Sequence, residues 1–346
     1  DPSMIRRMED ETGIDAKTIP LDDPDVMSLF KGTDALGITP DDIGGVPLGS
    51  LGVPELGTEF VIQMLIDTKP KSFSDLVRIS GLSHGTDVWL GNAQEVIRDG
   101  YAELEGCICC RDDIMVYLIN KGIEKGLSFT IMESVRKGKG LKDEWLPVMQ
   151  EHGVPEWYIG SCRKIKYMFP KAHAAAYVMM AWRIAWFKVN YPDVYYVAYF
   201  SIRAKNMDYL MMCRGLETLR FHMEQIKDKD KKDRSPKEED LLKDMRIVEE
   251  MYARGVDFTP ITFDKVHPTR FIRVDGKIMP ALNSVEGIGD SQAIAICDAY
   301  KEKPFSSKED LMKRGKTGKT TIEKLDACGI TSGMQASDQL TFSFLM

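Results

Sequence analysis

The sequence predicts a mainly α-helical protein with one small β-hairpin. Three observations predict it. Apolar residues recur at helical spacing behind capping residues along most of the chain. A Gly-Ile-Gly pattern between short helical stretches is repeated in outline twenty-nine residues on. One stretch, RFIRVDGKIMPAL, reads instead as a hairpin around Asp275-Gly276.

The elements follow in order. The first 70 residues read as short helices joined by Gly/Pro-rich turns, with Asp22 or Asp23 as an N-cap. GGVPLGSLGVPELGTEF is a glycine-rich loop leading into a helix from about Gly57 to Asp67. FSDLVRISGLSHGTDVWLGNAQEVI runs helix, loop, helix, with GLSHGTDVW as the polar loop. RDDIMVYLINKGI starts a helix with Asp112 or Asp113 near its N-cap. GLSFTIMESVRKGKGL is an amphipathic helix with a basic end, and PEWYIGSCRKIKYMF is another helix. Trp89, Trp157, Trp182 and Trp186 are expected in the core. IKDKDKKDRSPKEEDLL reads as a solvated helix–loop–helix connection. From Met334 the chain has no periodic pattern and reads as a mobile tail.

At 346 residues the chain suits two or three domains, and its composition is that of a soluble globular protein. The apolar run after Ala174 is interrupted by Arg183 and Lys188, so it reads as protein core rather than a membrane span. The chain opens on Asp1, without a signal peptide, and is expected to be a piece of a longer protein. Seven cysteines without regular spacing point to a reducing cytoplasm. The Cys107, Cys109 and Cys110 cluster lacks a second pair at finger-like spacing, so no metal centre is expected.

The net charge of −7 argues against nucleic acid, but its distribution does not. Residues 1–120 hold 9 Lys/Arg against 22 Asp/Glu, whereas residues 121–190 hold 12 against 6. The basic middle is a candidate phosphate footprint or a solvated mixed-charge surface. Within it, FPKAHAAAYVMMAWRIAWFKVNYP places Lys171 and His173 beside Pro170, at the start of an apolar helix. A helix N-terminus is already partly positive, so a lysine there calls for an anion, of which phosphate is the usual one. The other reading is that a helix begun near Glu156 is kinked by Pro170.

In the repeat, Gly287-Ile288-Gly289 precedes one short helix, and GKTGKTTIEKLDACG aligns Gly318 with Gly289 and Ile322 with Ala293. This is the outline of a helix-hairpin-helix pair, whose tight turn brings backbone N–H groups against a DNA phosphate. Lys316 stands where Gly287 stands, and Lys316 and Lys319 supply charge in the second copy. A P-loop is excluded: counting back from Gly318 and Gly315 gives Lys313 and Asp310 where glycine is required.

GLSHGTDVWLGNAQ, CRDDIMVYLI, IMESVRKGKGL, FPKAHAAAY and the tail QLTFSF together resemble the C-terminal part of PolC-type DNA polymerase III, the replicative polymerase of low-GC Gram-positive bacteria. The resemblance covers most of residues 1–200 and, more loosely, the hairpin pair. It implies a fingers domain over 1–200, a duplex-binding domain over 201–333 with a tandem helix-hairpin-helix, and a sliding-clamp tail over 334–346. It also implies a parent enzyme that copies DNA from dNTPs using Mg2+, with a proofreading exonuclease elsewhere. Its partners would be primer-template DNA, dNTP, the sliding clamp and other replisome subunits, with no membrane. The metal-holding aspartates would lie in a palm upstream, making this chain catalytically incomplete. Asp112-Asp113 is no substitute, because adjacent helix positions point about 100° apart.

Under that resemblance, Lys171 and His173 face triphosphate or template backbone. Ser83, His84 and Thr86 hydrogen-bond phosphate or sugar, with Gly81 and Gly85 allowing close approach. Asn92 reaches a base or ribose edge, and Arg111 clamps phosphate. Without it, the same loop reads as a surface loop held by its own turns. Arg136, Lys137 and Lys139 would contact DNA backbone, or cap their helix as cations. Gln339, Leu340, Phe342 and Phe344 match the six-residue clamp-binding spacing, with Phe-Ser-Phe in place of the family's Leu-Phe. The rival reading is a non-enzymatic DNA-binding scaffold that uses the hairpin pair alone.

Overall fold

The computed structural model describes residues 1–338 and is mainly helical. Among these residues the one sheet pairs β1 (Ile272–Val274) with β2 (Lys277–Met279), antiparallel, with Val274 opposite Lys277. Asp275 and Gly276 take φ of 50° and 77°, as a two-residue type I′ turn requires. The four residues expected to bind a clamp, Gln339, Leu340, Phe342 and Phe344, lie outside the described residues.

The chain forms two compact units that are not consecutive in sequence. Most of the first is Asp15–Leu36 with Pro47–Val189. The second joins Pro2–Ile14 and Gly37–Val46 to the chain from Asn190 onward.

In the first unit, helix ends follow from their caps. Thr58 accepts from the N–H of Val61, so the helix expected from Gly57 runs Glu59–Thr68. The helix capped by Ser72 spans Phe73–His84 and so absorbs Gly81 to His84, which the sequence placed in a loop. Gly81 is required for a different reason than expected: a Cβ there would sit 2.5 Å from the Cys109 carbonyl oxygen, so the close approach is the protein's own. The Arg111–Asn120 helix has Cys110 as its N-cap residue, with Asp113 closing the capping box from the first turn, near the N-cap as expected. The Asp113 carboxylate accepts from the N–H groups of Cys109 and Cys110, at 3.0 Å each.

The Glu156–Lys164 helix stops before an extended Ile165, and a new helix, Lys171–Asn190, starts after Pro170. Pro170 therefore precedes a helix rather than kinking one. Trp182 and Phe187 are buried on this helix, and Trp182 donates to the Pro20 carbonyl at 2.8 Å. Lys188 is fully buried and donates to the carbonyls of Gly49 and Leu51, at 2.8 and 2.6 Å, which ties the glycine-rich loop to the helix. Trp89 is buried, while Trp157 and Trp186 are only half-buried. Among the described residues no helix is long and apolar enough to cross a membrane.

In the second unit, the Pro2–Thr12 helix packs against Pro192–Ile202. The mixed-charge run becomes the end of Leu216–Lys227, a short 3-10 turn and the start of Pro236–Ala253. Ser235 and Glu238 form the capping box that starts the last of these. Three helices follow the hairpin: Asp290–Glu302, Lys308–Arg314 and Lys319–Ala327. The described part of the tail is held, since Gln335 and Ala336 accept from the N–H groups of Lys308 and Glu309.

Candidate nucleic-acid interface

The extended segment between the Glu156–Lys164 and Lys171–Asn190 helices ties together most of the sequence-predicted residues of the first unit. Thr86 donates its N–H to the Tyr167 carbonyl at 2.9 Å, and Lys166 donates to the Thr86 carbonyl at 3.0 Å. Met168 donates to the Arg136 carbonyl at 3.3 Å, and Arg111 donates to the Phe169 carbonyl at 3.1 Å. The Lys171 N–H donates to the Asp112 carboxylate at 2.7 Å. Gly138 belongs to the same knot: its φ is +71°, and a Cβ would lie 2.5 Å from the Lys166 carbonyl oxygen.

The charges around this knot are mostly positive. Arg136 bonds Glu133 at 2.5 and 2.9 Å, Lys137 pairs with it at 3.0 Å, and Arg111 lies 4.0 Å away. The Arg136 guanidinium, then Lys137, hold the Glu133 carboxyl down at about 2. One carboxylate thus faces three cations. Lys139 and Lys171 are exposed and have no ion pair among the described residues. His84 ends its helix and pairs with Glu55, whose hydrogen bond raises the imidazole pKa against the opposing effect of burial.

Aromatic rings line the same place. His84 meets Phe169 edge to face at 5.7 Å. Phe169 also meets Tyr167 edge to face at 5.2 Å and stacks on His173 at 5.0 Å, which in turn contacts Tyr177 at 4.5 Å. Tyr167 and Tyr177 are partly exposed. Sequence reasoning named His173 but missed Tyr177, four positions on and so on the same helix face, and Phe169, which lies in the extended segment before the helix. Glu55 was also missed, and only the fold brings it to His84.

Other predicted residues turn inward. Asn92 is buried: it donates to the carbonyls of Asp87 and Ser161 and accepts from the Ser161 hydroxyl at 2.5 Å. Its amide ties the loop to the Glu156–Lys164 helix. The Ser83 hydroxyl donates to the Ser80 carbonyl at 2.9 Å. Cys107 and Cys110 are buried, with thiols pushed up to about 12. Among the described residues no group of three or more His, Cys, Asp or Glu is placed to hold a metal.

In the second unit the repeat is also a repeat of backbone. Gly287 and Lys316, aligned in sequence, take φ of +81° and +51°. Gly289 and Gly318 both cap the next helix in extended conformation, with ψ of 168° and 171°. Gln292 donates to the Thr321 hydroxyl at 3.4 Å, and these two residues are also equivalent positions of the two copies. Equivalent positions meet in this way when two copies are related by an approximate two-fold axis. Gly287, Gly289, Lys316 and Lys319 are all exposed, and Lys319 reaches Glu323 only at 3.9 Å.

Residues 1–153 match the family described as the bacterial DNA polymerase III alpha subunit finger domain, and residues 255–339 match a helix-hairpin-helix motif. Over 341 residues, 99% of its length, the chain is 52% identical to the PolC-type DNA polymerase III of Oceanobacillus iheyensis. It is 53% identical to that of Bacillus subtilis and 49% identical to that of Caldanaerobacter subterraneus, again over 99% of the chain. It spans 24% of the length of each of these curated relatives.

Proposed function

Because this chain is homologous to PolC-type DNA polymerase III along 99% of its length, we propose that it serves a template-directed replicative DNA polymerase as the part that receives dNTP and grips primer-template. The observation that carries the reading is the convergence on residues 165–170. Thr86, Arg111 and Arg136 come from three separate segments and meet there through backbone bonds, and Lys171 follows directly, its N–H held by the Asp112 carboxylate. Lys171 and Lys139, without an ion pair among the described residues, offer ammonium groups for triphosphate or template phosphates, and Arg111, Arg136 and Lys137 share one carboxylate partner, Glu133. His84 and His173 stand at the same place, and the partly exposed Tyr177 ring supplies a flat apolar face for a base.

The functional segments are a fingers domain over 1–200, a duplex-binding domain over 201–333 and a clamp-binding tail over 334–346. In the duplex-binding segment the turns at Gly287-Gly289 and Lys316-Gly318, with Lys319, cradle backbone phosphates without reading sequence. The Mg2+ ions belong to the remaining length of the full polymerase, as does the exonuclease. Asp112 and Asp113 do not fit a metal pair, since both carboxylates accept backbone N–H groups. The cellular setting is the cytoplasm, with the sliding clamp and other replisome subunits as partners.

The test uses the full-length protein. Its affinity for a recessed primer end is expected to rise when the matching dNTP is present. Equal affinity for any duplex, with or without dNTP, would favour a DNA-binding scaffold instead.

A further inference from the structure

The second compact unit contains a cavity of about 410 Å³ that no role above uses. Arg6, Arg7 and Arg270 line it together with Ser3 and Ser201, and Asp10 is the carboxylate on its wall. Arg7 is engaged, pairing with Glu11 at 2.8 Å and donating to the Phe271 carbonyl at 3.1 Å. The guanidiniums of Arg6 and Arg270 are exposed and have no hydrogen-bond or ion-pair partner among the described residues. With Arg7 paired to Glu11, the guanidiniums of Arg6 and Arg270 face the single Asp10 carboxylate, which leaves a net positive wall in a chain whose net charge is −7. His267 responds to that field: burial first, then Arg270 and Arg7, push its imidazole pKa down.

We propose that this cavity binds a phosphodiester of single-stranded DNA. Guanidinium forks match phosphate oxygens in pairs, and hydroxyls such as Ser3 add neutral donors. A phosphodiester is favoured over a carboxylate because one anionic group must satisfy several guanidiniums at once. The concave shape selects the strand form. A stiff duplex presents a convex backbone that meets only a rim, whereas a flexible single strand turns its phosphate inward. Ile202, also on the cavity wall and 41% exposed, offers an apolar surface to the neighbouring base. The identity of the nucleic acid rests on the polymerase reading, whereas the phosphate chemistry rests on the cavity itself.

The test is a salt titration of the full-length protein with a single-stranded oligonucleotide and, separately, with a blunt duplex. Arg6→Gln and Arg270→Gln are each expected to flatten the single-strand slope of log K against log salt by about 0.7, and the double variant by about twice that. Duplex slopes should stay at wild type, and Arg6→Lys should keep the wild-type single-strand slope. A wild-type single-strand slope in the double variant overturns the proposal. So does an equal loss for duplex and single strand. Displacement of the oligonucleotide by low-millimolar inorganic phosphate would also overturn it, since that marks a small-anion site. Adding dNTP to a primed template in the same series tests the polymerase reading separately, because that gain does not depend on Arg6 or Arg270.

Discussion

The backbone N–H of Lys171 donates to the carboxylate of Asp112, at 2.7 Å, across 59 positions of sequence. The anion that the start of the Lys171–Asn190 helix requires is therefore supplied by the first turn of the Arg111–Asn120 helix. The Lys171 side chain is not needed to satisfy that end and remains exposed for a ligand. Asp112→Ala is expected to cost about 1 kcal/mol, the usual worth of a helix cap, with Asp112→Asn retaining most of it. Urea unfolding of the chain measures both. Equal stability of the alanine variant and wild type would show that water caps the helix as well as Asp112 does.

His84 and Glu55 make a pH-sensitive contact. The folded-state pKa of His84 is raised, chiefly by its hydrogen bond to Glu55. The pair's contribution is therefore fully present below the ordinary histidine pKa of about 6.5, and it is lost as pH rises through the raised value. Glu55→Gln should bring the His84 titration down, as followed by the imidazole proton resonances. An unchanged midpoint in that variant would mean that Glu55 does not set it.

Substitutions at the proposed nucleotide site separate charge from stacking. In the full-length polymerase, Lys171→Ala and His84→Ala should weaken dNTP use roughly ten- to a hundredfold, as expected for a lost charge-assisted contact of about 1.5–3 kcal/mol. Tyr177→Ala should weaken it less and Tyr177→Phe hardly at all, because the ring face, not the hydroxyl, is the proposed contact. Duplex affinity should remain near wild type in all four. Steady-state kinetics with one varied dNTP read these effects, and unchanged kinetics in both Lys171→Ala and His84→Ala would remove those residues from the site.

What the sequence makes legible here is local. Asp275-Gly276 declares its turn because few residue pairs accept two positive φ angles, and the hairpin repeat is visible because its glycines recur at a fixed interval. The role of Lys316 was visible only as a mismatch with Gly287, yet its φ of +51° shows that the backbone preserved what the residue type had lost. Non-local features were not legible. Nothing near Asn92 in sequence reveals that Ser161 holds its amide, or that Glu55 reaches His84. The gathering of three segments on residues 165–170 rests on backbone groups, which carry no residue signature. The start of the polar loop was misjudged because Gly81 resembles a turn residue, whereas it is a point of close packing inside a helix.

The tail allows a simple separation. Deleting residues 339–346 should abolish binding of the full-length polymerase to the sliding clamp while leaving duplex binding intact. The held residues Gln335 and Ala336 would stay in place. Phe342→Ala combined with Phe344→Ala should remove most of the affinity, since aromatic anchors dominate short-peptide docking. Calorimetry of a tail peptide against purified clamp tests this directly, and no heat at high micromolar peptide would rule the contact out.

The hairpin pair offers the sharpest contrast between folding and binding. Among the described residues nothing beyond its chain neighbours lies within 4 Å of a Cβ built on Gly289, and its φ is an ordinary −81°. Gly289→Val should therefore fold normally and lose duplex affinity, because the side chain occupies space that a phosphate needs. Gly287 differs: its φ of +81° strains any side chain, and a Cβ would lie 2.6 Å from the Lys324 ammonium. Gly287→Ala should lose stability as well as affinity. Lys316→Gly reverses the logic. It relieves left-handed strain of about 1 kcal/mol, so the chain should become more stable. It also removes one cation, so the salt dependence of duplex binding should flatten by about 0.9. Thermal unfolding and salt titration on the same preparations measure the two effects. Greater stability with a wild-type slope would leave Lys316 as a turn residue only, and would confine phosphate binding in the second copy to Gly318 and Lys319.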